Sequence, residues 1–197
     1  SLRRISLPSV KIVWECAFED TALTEVELPE VKEIKYLAFR NNKSLRRIAI
    51  PLNPHLFDLE PEDFELFEDG FDPEELEDTV FENCDNLVQV DLVGWIHKTV
   101  SSLHLESRRN EMNGEIIRIN QELPKIRANK KTESIRRWME SVSNKIEYYK
   151  VEHRRVLKEA ATILELALWN VKLDEETVSE LVVEREDMRT TRGQRKR

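Results

Sequence analysis

Hydrophobic residues recur in a fixed frame through the first half of the chain. Leu2, Ile5 and Leu7, spaced by three and then two, are followed by Pro8. Leu23, Val26, Leu28 and Pro29 repeat the spacing, as do Leu45, Ile48, Ile50 and Pro51. A fourth copy, Leu87, Val90 and Leu92, carries Val93 where the proline would stand. The starts fall at 2, 23, 45 and 87, in steps of 21, 22 and 42. The downstream halves also match: Val10 with Val31, Val13 with Ile34, and Ala17-Phe18 with Ala38-Phe39. A third such half ends at Val80-Phe81, and Phe81 precedes Leu87 by the same six residues that separate Phe39 from Leu45. The third repeat is therefore an ordinary one enlarged by 20 residues.

The spacing predicts a turn-in followed by a short strand with alternate residues inward. Proline has no N–H to offer a sheet, so it closes the strand. The Ala-Phe pair sets a small residue beside a large one and suits an aromatic column one repeat deep. A single copy cannot bury both of its faces, so the copies must stack. In this frame the outward strand positions form two ladders: Arg4, Glu25, Arg47, Gln89 and Ser6, Glu27, Ala49, Asp91. Signs alternate along the charged part of the first, and opposed cross-strand charges contribute roughly 0.2–1 kcal/mol per pair. Such a face is either a polar docking surface for a protein or peptide, or a solvated sheet that largely neutralises itself. It has no basic stripe, which disfavours nucleic acid.

The pattern over residues 1–92 resembles the BspA-like leucine-rich repeat, Leu-x-x-Ile-x-Leu-Pro followed by Val-x-x-Ile-x-x-x-Ala-Phe. The resemblance implies a curved solenoid with a parallel sheet on one face. The enlarged third repeat and the missing fourth proline depart from it.

Charge changes the picture of the enlargement. Residues 53–86 hold fourteen Asp or Glu and no Lys or Arg, whereas the whole chain carries −8. The insertion 53–78 also holds four of the seven phenylalanines, including Phe64, Phe67 and Phe71. Like charges resist compaction while Phe and Leu favour it. The segment is expected either to dock its aromatics on the solenoid or to order on a basic partner. An EF-hand spacing is absent, because Phe67-Glu68-Asp69-Gly70 offers the wrong ligand order.

From Val100 onward the period becomes helical. Met112, Ile116, Ile119 and Leu123 predict a helix over 99–123, ending at Pro124. A basic connector leads to Thr132, expected to cap a helix over 132–173. Its seam is Ile135, Met139, Val142, Ile146, Tyr149, His153, Val156, Ala160, Ile163 and Ala167, a regular alternation of four and three. Residues 160–169 are apolar on more than one face and need a partner. Asp174 would cap a last helix over 175–188. These elements predict a helical hairpin or three-helix bundle, with a homodimeric coiled coil through 132–173 as the alternative. Trp95, just after the last strand, is expected to cover the solenoid's end. The opening inside a strand at Leu2 is read as part of a longer repeat array. Fold class is α+β: a solenoid over 1–96, a helical domain over 97–188 and a basic tail over 189–197. The repeats with their helical tail are similar to leucine-rich repeat proteins of unicellular algae and other protists.

No motif for catalysis is visible. His55, His97, His104 and His153 do not pair with Cys16 or Cys84 at ligand spacing, and no nucleophile elbow or phosphate loop occurs. No catalytic, cofactor or metal residue is therefore assigned. The two cysteines are too few for a disulfide framework. No apolar run approaches the roughly 18 residues of a membrane span. Asn42-Lys43-Ser44 matches a glycosylation acceptor. Arg189–Arg197 holds five bases and no acid, as a nuclear-localisation or nucleic-acid tail would, or equally a solvated terminus or the interior of a longer segment. The expected role is non-enzymatic: a protein-interaction module whose partner is a protein or peptide, a basic one where the insertion takes part. The compartment is left open.

Overall fold

The structure, a computed structural model, describes residues 3–58, 80–103 and 105–194, with side chains through 176 except at Asp174. The chain divides into two compact units, Ser1–Lys150 and Val151–Arg197.

The first unit begins with the repeats. Strands β1 (Arg4–Ser6), β3 (Glu25–Glu27), β5 (Arg47–Pro51) and β6 (Gln89–Val93) form one parallel sheet in that order. A second, two-stranded parallel sheet joins β2 (Ile12–Val13) to β4 (Glu33–Ile34). Val26 pairs with Ile48 and Ile48 with Val90, so the recurring Ile/Val becomes one buried row. Ile50 and Leu92 pair directly. Leu7 N–H donates to Glu27 O at 2.9 Å and Leu28 N–H to Ala49 O at 2.8 Å. Pro51 is the last residue of β5, as expected of a residue without an N–H.

The Ala-Phe positions build the aromatic column. Phe18 stacks on Phe39 with centroids 5.1 Å apart, and Phe39 on Phe81 at 5.7 Å. Each such pair contributes about 0.5–1.5 kcal/mol beyond its buried area. Because Phe81 continues the column, the repeat frame survives the 20-residue enlargement. Phe57 meets Phe81 edge-on at 5.8 Å, and Leu56 is fully buried beside it. The turn after each phenylalanine needs a left-handed residue, taken by Asp20, Asn41 and Asn83 with φ of 52°, 59° and 57°. Asp and Asn tolerate that region better than other residues with a Cβ.

The helical part caps the repeats. The expected helix over 99–123 is two helices, α1 (Ile96–Ser101) and α2 (Glu106–Glu122). Two short 3-10 turns, Leu123–Lys125 and Ala128–Lys130, lead into α3 (Lys131–Gln194). The seam residues Ile135, Met139, Val142, Ile146 and Tyr149 are buried, as are Met112, Ile119 and Leu123 opposite them. Helix α2 also closes the open edge of β6, where Asn120 Oδ1 accepts from Val90 N–H at 2.8 Å.

Three expectations about this part need correction. Trp95 is 48% exposed, with Lys150 Nζ 5.4 Å from its ring centroid, and does not cover the solenoid. Ile96 and Val100, one and five residues further on, are buried instead, because the helical period of α1 turns them inward. Thr132 lies inside α3 rather than capping it, and its Oγ1 accepts from Phe81 N–H at 3.3 Å. Helix α3 runs through position 174, so no separate last helix begins there. Asn42, of the Asn42-Lys43-Ser44 match in the repeats, is fully buried, its amide donating to Phe39 O at 2.9 Å, so its side chain serves the packing of the repeats.

The second unit is the continuation of α3 from Val151. Among its described side chains, Ile163, Leu164, Leu166, Leu168 and Trp169 are each at least 60% exposed. No helix among the described residues is long and apolar enough to cross a membrane.

Candidate functional site: the polar face of the parallel sheet

Parallel pairing in register stacks equivalent repeat positions at one strand spacing, about 4.8 Å. Arg4, Glu25, Arg47 and Gln89 therefore stand in one row, and Glu27, Ala49 and Asp91 in the next, with Ser6 beside Glu27. Arg4 meets Glu25 at 2.8 Å, and Arg47 approaches the other oxygen of Glu25 at 4.0 Å. Arg47 Nε also donates to Asp91, across the diagonal between the two rows. Gln89 adds its own donation to Asp91 at 3.0 Å.

Ala49 occupies its ladder position but is fully buried, so it offers no surface. Its single methyl stands between the longer Glu27 and Asp91 on the flanking strands. Arg4, Ile5, Ser6, Glu25, Val26, Glu27 and Arg47 line a shallow hollow of about 320 Å³ on this face. Glu27 has no cation within ion-pair distance among the described residues. Phe64, Phe67 and Phe71 lie outside the described residues.

Reading the strands alone misses the edge where the chain turns into the sheet. A second cleft, about 510 Å³, lies there, lined by Arg3, Arg4, Thr24, Glu25, Lys43, Ser44, Arg46, Asn86 and Ala22. The residue after each repeat's first leucine, Arg3, Thr24, Arg46 or Val88, was the available signal.

The chemistry of the remaining polar groups points to structure. Burial and the neighbouring Glu19 push the Cys16 thiol up, away from the thiolate a nucleophile needs. Cys84 is buried and donates to Phe39 O at 2.9 Å. Lys131 is buried, and its ammonium donates to the carbonyls of Cys84, Asp85 and Leu87 at 2.9, 2.7 and 2.8 Å. Among the described residues no three His, Cys, Asp or Glu side chains are grouped to hold a metal ion.

A family model described as BspA type Leucine rich repeat region (6 copies) matches residues 1–99, half of the chain. No curated protein and no solved structure matches.

Proposed function

The chain belongs to the BspA-type leucine-rich repeat family, and on that premise we propose that it binds a protein or peptide through the polar face of its parallel sheet. The repeat family suggests a protein–protein interaction module and is generally non-enzymatic. What carries the reading on this chain is the hollow over Arg4, Ser6, Glu25, Glu27 and Arg47, where an unpaired carboxylate sits beside a braced ion-pair network. Side chains already held by one another lose little freedom when a partner docks. Gln89 and Asp91 extend the same surface, and the acidic insertion adds attraction for a basic partner.

Peptides selected from a display library on the immobilised full chain test this. Binding to wild type and to Glu27→Arg combined with Ser6→Arg is compared by calorimetry. A loss of about ten-fold or more, some 1.4 kcal/mol, is expected for the variant with its melting temperature unchanged. Peptides that bind both proteins equally would contradict the face as the site.

A second reading, structural self-association through the long helix, is favoured by one observation: the exposed Ile163, Leu164, Leu168 and Trp169. Isolated surface apolar residues are ordinary, but a run of them marks an interaction site.

A further inference from the structure

The turn-in edge of the solenoid carries a local excess of positive charge. Four cations line its cleft, Arg3, Arg4, Lys43 and Arg46, against one carboxylate, Glu25. Arg4 is paired with that carboxylate at 2.8 Å. Arg3, Lys43 and Arg46 have no acidic partner among the described residues. In a chain of net charge −8, three uncompensated cations around one cleft are a local reversal of sign.

Backbone hydrogen bonds fix where these cations stand. Thr24 N–H donates to Arg3 O at 2.7 Å, and Arg46 N–H donates to Thr24 O at 2.9 Å. Val88 N–H continues the series to Arg46 O at 3.1 Å. Arg3 and Arg46 thus flank Thr24, two strand spacings or about 10 Å apart. Asn86, at the far end of the cleft, extends the lining by a further repeat, to about 14 Å. That length matches about four residues of extended peptide. It is longer than a single phosphate or sulfate, which the spread cations would not converge on.

We propose that this cleft binds a short acidic peptide segment, with Arg3 and Arg46 each taking a carboxylate and Lys43 adding a third cation. Guanidinium forks match carboxylates in geometry and keep their charge at any physiological pH. A nucleic-acid backbone fits less well, because Glu25 lies in the cleft and Glu27 and Asp91 lie on the adjoining face. The proposal extends the sheet-face reading to the neighbouring edge. Arg3, Lys43 and Arg46 are not part of that face, so variants at these positions probe the cleft alone.

The test is fluorescence anisotropy with a labelled peptide of alternating Glu and Ser, and with a Gln-Ser peptide of equal length. The full chain is compared with Arg3→Ser combined with Arg46→Ser, with Lys43→Ser, and with Arg46→Lys. Wild type is expected to bind the Glu peptide and not the Gln peptide. Its affinity should fall as salt rises from about 20 to about 150 mM, where the screening length shrinks below the spacing of the cations. The double variant should lose about ten-fold or more and Lys43→Ser several-fold, while Arg46→Lys, which keeps the charge but not the fork, should lose affinity without reaching the loss of the double variant. Unchanged circular-dichroism melting of the variants excludes unfolding as the cause. Equal binding of the two peptides, or full affinity in the double variant, would overturn the proposal. So would a DNA duplex, or inorganic phosphate alone, that binds where the Glu peptide does not.

Discussion

Glu111 shows how much one side chain can concentrate at the junction of α2 and α3. Tyr149 donates to it at 2.5 Å, and Lys145 pairs with it at 2.9 Å while also reaching Glu115 at 3.0 Å. The Tyr149 hydroxyl, followed by Lys145, pulls the Glu111 carboxyl down from 4.5 to about 2. A carboxylate whose folded value lies below its unfolded one stabilises the fold above the unfolded value. That contribution is lost as pH falls through the folded one. The window here is from about pH 4.5 down to about pH 2. Melting temperature followed from pH 6 downward should therefore fall more steeply in wild type than in Glu111→Gln across that window. Parallel curves would show that Glu111 contributes nothing to acid stability. Such a bond is invisible in the sequence, where Glu111 is one of many acids on a charged helix. The same holds for Asn42 and Lys131, polar residues that the repeat frame and the helix start turn inward onto carbonyls. Burying them is tolerable only because every donor they bring finds an acceptor.

At the scale of elements, periodicity told inside from outside wherever a partner lies in the same chain. Ile135, Met139, Val142, Ile146 and Tyr149 were read as one seam and are all buried. The same alternation continues past His153, yet Val156 is 37% and Ile163 66% exposed. Period reports a helix and its apolar face, but not what covers that face. The continuation of α3 beyond Asp174 was hidden by a good capping residue, which helix propensity and the run on both sides override. If the exposed run serves self-association, light scattering at high micromolar concentration gives a dimer for wild type. Leu164→Asp with Leu168→Asp then gives a monomer of unchanged helicity. A wild-type monomer at that concentration removes the oligomer reading and leaves the sheet face untouched.

At the scale of the whole molecule, the repeats were legible because each inward position recurs three or four times, so a single unusual residue cannot disguise the frame. The cap was less legible, since α1, α2 and the start of α3 occur once each, and Trp95 misled by its size. The candidate face followed from register alone. What the strands could not tell was that Ala49 is covered and that Arg3, Lys43 and Arg46 gather at the edge. All of these placements depend on one claim: the enlargement of the third repeat is spliced into the frame without displacing it. Phe81 stacking on Phe39, and β6 pairing with β5 from Arg47 to Pro51, express that claim in contacts.

Its most direct test is deletion of residues 59–78, which joins Asp58 to Thr79 and restores the step of 22 between repeat starts. Thr79 then takes the place of Leu37, where φ is +52°, so Thr79→Gly accompanies the deletion. Shortening a loop changes its closure entropy by only about 0.6 kcal/mol per halving of length. Thermal unfolding of the deleted chain should accordingly remain a single cooperative transition within a few degrees of wild type. Loss of cooperativity, or a fall of more than about 10 °C, would mean that the 20 residues are part of the stack and that the frame drawn through them is wrong.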